Sequence, residues 1–89
     1  MKWTIDLSHD AEKFLRRNHL KHKEVFELVG LAIRKLQGEV ANVTVGKLKG
    51  KWAGFYRIKR GDLRIIASFD FDDLRVFVDQ LDWRGNAYK

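Results

Sequence analysis

Between positions 47 and 64 the chain carries Lys47, Lys49, Lys51, Arg57, Lys59, Arg60 and Arg64 against a single acid, Asp62. These side chains bring fixed positive charge and hydrogen-bond donors without acceptors. The chemistry open to them is the binding and stabilisation of anionic oxygen, above all phosphate. The stretch alone carries the charge of the whole chain, a formal +6 with a sequence pI of about 9.8. A basic stripe concentrated in a small chain is the footprint of a polyanion site, because each phosphate neutralised releases counterions. The plainer alternative, a solubilising face, suits scattered lysines better than clustered arginines.

Spacing sharpens this reading. The segments from Phe55 to Arg60 and from Leu63 to Phe69 have strand composition and are split by a turn at Gly61. Residues two apart in a strand share a face, so Arg57 goes with Lys59 and Tyr56 with Ile58. A two-residue turn, either Arg60-Gly61 or Gly61-Asp62, pairs positions whose numbers sum to an odd value. Either choice puts Arg64 with Arg57 and Lys59. It puts Leu63, Ile65, Ala67 and Phe69 with Tyr56 and Ile58. One face of the hairpin is thus core and the other presents three cations. Like charges across a strand pair repel, so the cluster calls for an anion to sit on it.

Further along, Trp83-Arg84-Gly85-Asn86-Ala87-Tyr88 follows the last strand. Arg84 suits a phosphate contact, and Tyr88 and Trp83 suit stacking on a base. A tail whose Trp and Tyr cap the core fits the same residues equally well. His9 falls at a helix start, and His19 and His22 lie around a helix connection, each a surface or capping residue without metal-ligand spacing. Asp62 reads as a turn residue, and Asp79 and Asp82 as ion-pair partners for nearby cations. There is no cysteine, hence no disulfide and no thiolate metal site, and no cofactor is expected.

The elements that must hold these residues are legible from periodicity. Trp3, Ile5 and Leu7 alternate with polar neighbours as in a half-buried strand. Ser8 offers a helix N-cap, with Ala11, Phe14 and Leu15 at helical spacing behind it. A second helix begins near Lys21, with Val25, Leu28, Val29, Ala32, Ile33 and Leu36 as its buried stripe and Gly38 as its stop. After Gly38 the period changes to strands: Val43 to Leu48, the two strands of the hairpin, and Leu74 to Leu81 beyond the acidic turn from Asp70 to Asp73. The spacing predicts an α+β fold in the order β-α-α-β-β-β-β, a mostly antiparallel twisted sheet with an N-terminal helical hairpin packed on one face. At 89 residues, 45% of them hydrophobic, one domain over 1–89 is expected. No apolar run reaches membrane-spanning length and no signal-peptide core opens the chain, so a soluble, cytoplasmic protein without a membrane partner is expected.

The motifs resemble those of the RelE/ParE toxins of type II toxin–antitoxin systems, in particular the RelE-like branch. Leu48-Lys49-Gly50 is similar to the family's Leu-x-Gly segment. Tyr56-Arg57-Ile58-Lys59 is similar to its aromatic-Arg-Ile-Arg/Lys strand, and Gly61-Asp62-Leu63-Arg64 to its Gly-Asp-Tyr-Arg turn. The tail from Trp83 to Tyr88 is similar to the closing His-Arg-x-x-x-Tyr, with Trp83 standing where many relatives carry His. The resemblance implies a RelE-like fold and a ribosome-dependent endoribonuclease, an mRNA interferase that inhibits translation without a metal ion. In that reaction the RNA 2′-hydroxyl attacks the adjacent phosphate and leaves a cyclic phosphate. By position, Arg57, Lys59, Arg64, Arg84 and Tyr88 would be the catalytic set, with Arg57 and Arg64 on the phosphate and Arg84 positioning it. Tyr88 or Lys59 would serve as the base. Lys47, Lys49, Lys51, Arg60 and Trp83 would contact RNA. The implied partners are a RelB-like antitoxin, the ribosome and messenger RNA, with operator DNA reached only through the antitoxin complex. Other members of the superfamily are gyrase inhibitors of the ParE kind, and a degenerate toxin would bind antitoxin alone.

Overall fold

A computed structural model describes residues 2–83. The order of elements is β1 (Thr4–Leu7), α1 (His9–Arg17), α2 (His22–Leu36), β2 (Thr44–Lys47), β3 (Tyr56–Arg60), β4 (Leu63–Asp70) and β5 (Arg75–Trp83), with a short 3-10 turn at Gly50–Trp52. This is the α+β order expected from periodicity. The five strands form one sheet in the order β1-β5-β4-β3-β2. Three pairings are antiparallel, and β1 lies parallel to β5.

Local chemistry explains where each helix starts and stops. The Ser8 side-chain oxygen accepts the Ala11 N–H at 3.1 Å and so caps α1. The same hydroxyl donates to the Asp79 carbonyl at 2.6 Å, tying the start of α1 to β5. At the start of α2 the Glu24 carboxylate accepts the Lys21 backbone N–H at 2.9 Å. At its end Gly38 takes φ +92°. There Gly38 N–H donates to Lys35 O and Glu39 N–H to Arg34 O, each at 3.0 Å, the paired bonds of a Schellman stop.

Both helices cover one face of the sheet, α1 against β5 and β1, and α2 against β3 and β2. The core between them holds Ala11, Leu15, Val25, Val29 and Ala32 from the helices and Ile58, Ile65, Ala67, Val76 and Val78 from the strands. Ile65 is fully buried at the centre of the sheet's middle strand. Ile65→Ala is expected to lower the unfolding free energy by about 3 kcal/mol, through lost transfer energy and the cavity left behind. The urea midpoint should fall while the slope stays unchanged.

One irregularity sets the faces of β5. Its register against β4 shifts between Ile66 and Ala67, which pair with Gln80 and Val78 and leave Asp79 as the extra residue of a bulge. The Asp79 carbonyl is the one that accepts the Ser8 hydroxyl. Beyond the bulge, Leu81 and Trp83 sit on the helix side, paired with Ile65 and Leu63. Gln80 and Asp82 sit on the open side, paired with Ile66 and Arg64.

Candidate nucleic-acid interface

The β3–β4 hairpin is closed by Gly61 and Asp62, with Arg60 opposite Leu63. Gly61 takes φ +62° while Asp62 keeps a negative φ, the conformation that puts glycine first in a type II′ turn. Of the two turns open from the sequence, the structure takes Gly61-Asp62. The register then follows the odd-sum rule: Lys59 lies directly opposite Arg64, Ile58 opposite Ile65, and Arg57 opposite Ile66.

Two rows of residues therefore cross the open face. One runs Thr44, Lys59, Arg64, Asp82, and the next runs Gly46, Arg57, Ile66, Gln80. Arg57, Lys59 and Arg64 are each half-buried, and Ile66 is fully buried beside them, outside the core that the helices cover. Ile66 thus places a fully buried apolar side chain in the same row as Arg57. A buried apolar side chain next to cations lowers the local dielectric and strengthens their hold on an anion.

The Arg64 guanidinium is steered by the turn, donating from one nitrogen to Gly61 O at 2.9 Å and more weakly to Leu63 O at 3.5 Å. The rest of its fork of donors stays available. The ion pairs Arg34–Glu39 and Arg60–Glu27 and the hydrogen-bonded pair His22–Glu12 involve neither Lys59 nor Arg64. Asp82 is opposite Arg64 in register, yet its carboxylate accepts the Trp83 backbone N–H at 2.7 Å. Lys59 and Arg64 are therefore adjacent like charges that no carboxylate of the described residues neutralises within 4 Å.

At the rim where β2 begins and the hairpin turns, a cleft of about 470 Å³ opens beside this pair. Lys35, Lys59, Arg60 and Arg64 line it together with Asn42 and Thr44, and no acid does.

The other predicted residues fall into separate places. Lys47 is exposed at the end of β2, opposite Tyr56; Lys49 is exposed just before the 3-10 turn and Lys51 within it. Arg60 falls on the helix-side parity and pairs with Glu27 of α2 at 2.8 Å. Trp83, expected to contact RNA, lies on the helix side of β5. Its ring lies 5.3 Å from that of Phe14 and its N–H donates to Asn18 at 3.0 Å. The physical reason is the bulge at Asp79, which turns every later residue of β5 to the other face. Arg84 and Tyr88 lie outside the described residues. The three histidines are on the helices and their connection, with His22 2.8 Å from Glu12. No group of three or more His, Asp or Glu side chains suited to a metal ion occurs among the described residues. No described helix is long and apolar enough to cross a membrane.

No family model matches the sequence, and no curated protein does. Solved structures match over nearly the full chain. A metal-bound toxin from Helicobacter pylori superposes with a TM-score of 0.70 at 20% identity, covering 98% of this chain and 100% of that one. The toxin–antitoxin complex DinJ–YafQ from E. coli gives 0.67 at 16% identity, with 100% of each chain covered. The toxin–antitoxin complex RelBE2 from Mycobacterium tuberculosis gives 0.65 at 19% identity, covering 94% of this chain and 100% of that one. With sequences this far apart, what is shared is the backbone arrangement: the chain has the α+β fold of the RelE- and YafQ-type toxins.

Proposed function

We propose that this chain is a RelE-like toxin that cuts messenger RNA on the ribosome and is held silent by an antitoxin. The observation that carries the reading is the direct opposition of Lys59 and Arg64, with Arg57 on the same face and no acid within ion-pair reach of that couple among the described residues. Two adjacent cations cost stability in a free monomer. A phosphate that gains negative charge as it reacts offsets that cost.

RNA brings its own nucleophile. The 2′-oxygen forms a bond to phosphorus as its proton passes to a base, and the bond from phosphorus to the 5′-oxygen breaks as that oxygen gains a proton. The products are a 2′,3′-cyclic phosphate and a 5′-hydroxyl. In this reading Arg57 and Arg64 hold the non-bridging oxygens and Arg84 positions the phosphate. Tyr88 and Lys59 handle the protons. Lys47, Lys49, Lys51 and Arg60 are exposed and serve docking on ribosomal RNA, where long-range charge matters more than aim. The antitoxin covers the basic face, as an anionic or peptide cover would for any exposed cation cluster. Operator DNA is reached only through that complex.

Trp83 has a structural part in this account. Trp83→Phe keeps a ring against Phe14 and removes the N–H that reaches Asn18. The substitution is expected to cost about 1 kcal/mol of stability and to leave cleavage within about twofold of wild type. A large loss of cleavage at unchanged stability would put the ring back at the RNA. The experiment that tests the function itself is addition of the purified protein to a translating extract. Truncation of the message is expected. Inhibition of gyrase supercoiling with the message intact would support the ParE-like alternative instead.

A further inference from the structure

The rim cleft contains residues that the cleavage reading does not use. Lys35 stands in the last turn of α2, where a lysine is ordinarily explained by the helix dipole. Here its Nζ donates to the Val43 carbonyl at 2.8 Å, which fixes the ammonium at the mouth of the cleft and leaves two of its three donors unused. Asn42 and Thr44 are exposed, line the same cleft and bring an amide and a hydroxyl. Lys59, Arg60, Gly61 and Arg64 line it too, with Thr44 directly across from Lys59, so the cleft and the basic face share the two cations at the centre of the site. The negative end of α2 opposes an anion here, but its Lys35 and Arg34 carbonyls are already taken up by Gly38 and Glu39 N–H, and Glu39 is paired with Arg34.

We propose that this cleft is a second phosphate subsite, in which Lys35, Asn42 and Thr44 seat the backbone phosphate next to the scissile one. The inference rests on the cleavage reading and adds to it a path for the strand. The RNA crosses the open face over Ile66, presents one phosphate to Arg57, Lys59 and Arg64, and passes the next into the cleft. Lys35 is a positioning residue in this scheme and touches no reacting atom. Its loss weakens the hold on RNA of two phosphates or more and leaves the hold on a single phosphate unchanged.

The test is a titration of the 15N-labelled protein followed by NMR, with 2′-O-methyl nucleotides that cannot be cleaved. A dinucleotide with one phosphate is expected to shift the backbone amides of Lys59 and Arg64. A trinucleotide with two is expected to shift those of Asn42 and Thr44 as well, and the Asn42 side-chain amide. In Lys35→Met the cleft shifts should vanish and trinucleotide affinity fall by about fivefold, to the dinucleotide level, while Lys35→Arg keeps both. Unchanged resonances elsewhere in Lys35→Met establish that the fold is intact. The subsite is overturned if the trinucleotide shifts the strand amides alone, or if Lys35→Met retains the cleft shifts. It is equally overturned if inorganic phosphate alone reproduces those shifts at the same concentration, which would make the cleft a free-anion site. Absence of any shift at Lys59 and Arg64 would instead remove the cleavage reading, and the subsite with it.

Discussion

Arg64→Ala is expected to reduce messenger cleavage by about a hundredfold or more while the protein stays folded. Arg64 sits at the crossing of the two arguments for the site. It faces Lys59 across the hairpin, and the turn carbonyl of Gly61 holds its guanidinium at the end of the open face. A donor fixed in place before the reaction needs no reorganisation when charge develops on the phosphate, which is why its removal is costly. The substitution takes out no buried apolar group and breaks no ion pair of the described residues. Its effect on the unfolding midpoint should therefore be small. Arg64→Lys should recover little activity, since an ammonium lacks the planar fork that meets two phosphate oxygens at once. Rate and urea midpoint measured on the same preparations decide the matter. A parallel loss of both would reduce Arg64 to a structural residue.

The second large effect has opposite signs on activity and stability. Lys59 lies between Thr44 on β2 and Arg64 on β4. Replacing it by Thr removes a like-charge pair, sets two threonines opposite each other, and puts a β-branched residue in an inner strand. The fold should gain about 0.5 kcal/mol. That gain should shrink as salt is raised, because the repulsion it relieves is screened. Cleavage should fall about a hundredfold, from the loss of one phosphate contact and of a candidate proton carrier. A site kept for function commonly runs against stability in this way. If Lys59→Thr destabilised the protein and left cleavage intact, the cation cluster would have no functional meaning.

The hairpin is legible in the sequence because a strand has an integer period of two. Once Gly61 marked a two-residue turn, parity alone placed Arg57, Lys59 and Arg64 together. Helix boundaries were readable because Ser8 and Gly38 act locally. Other features depend on distant partners. The parallel pairing of β1 with β5 joins residues some seventy positions apart, and nothing in the Thr4–Leu7 pattern names its neighbour. The bulge at Asp79 left a trace, since apolar spacing along β5 changes from two, between Val76 and Val78, to three, between Val78 and Leu81. Read that way, Trp83 belongs on the helix side. The double apolar step Ile65-Ile66 similarly marks one residue for each face, with Ile66 buried in the row of Arg57. Lys35 was out of reach, because only the packing of α2 on β2 and β3 brings it to the hairpin turn.

The most direct measurement of the central claim is the chemistry of the new RNA ends. Message recovered from a translating extract treated with this protein should carry a 2′,3′-cyclic phosphate on one side of each cut and a 5′-hydroxyl on the other. A message with 2′-deoxy substitution at the cut position should survive, and Arg64→Ala should leave both messages whole. Ends bearing a 5′-phosphate, or cutting that persists at the 2′-deoxy position, would contradict 2′-hydroxyl attack on a phosphate held by Arg57, Lys59 and Arg64.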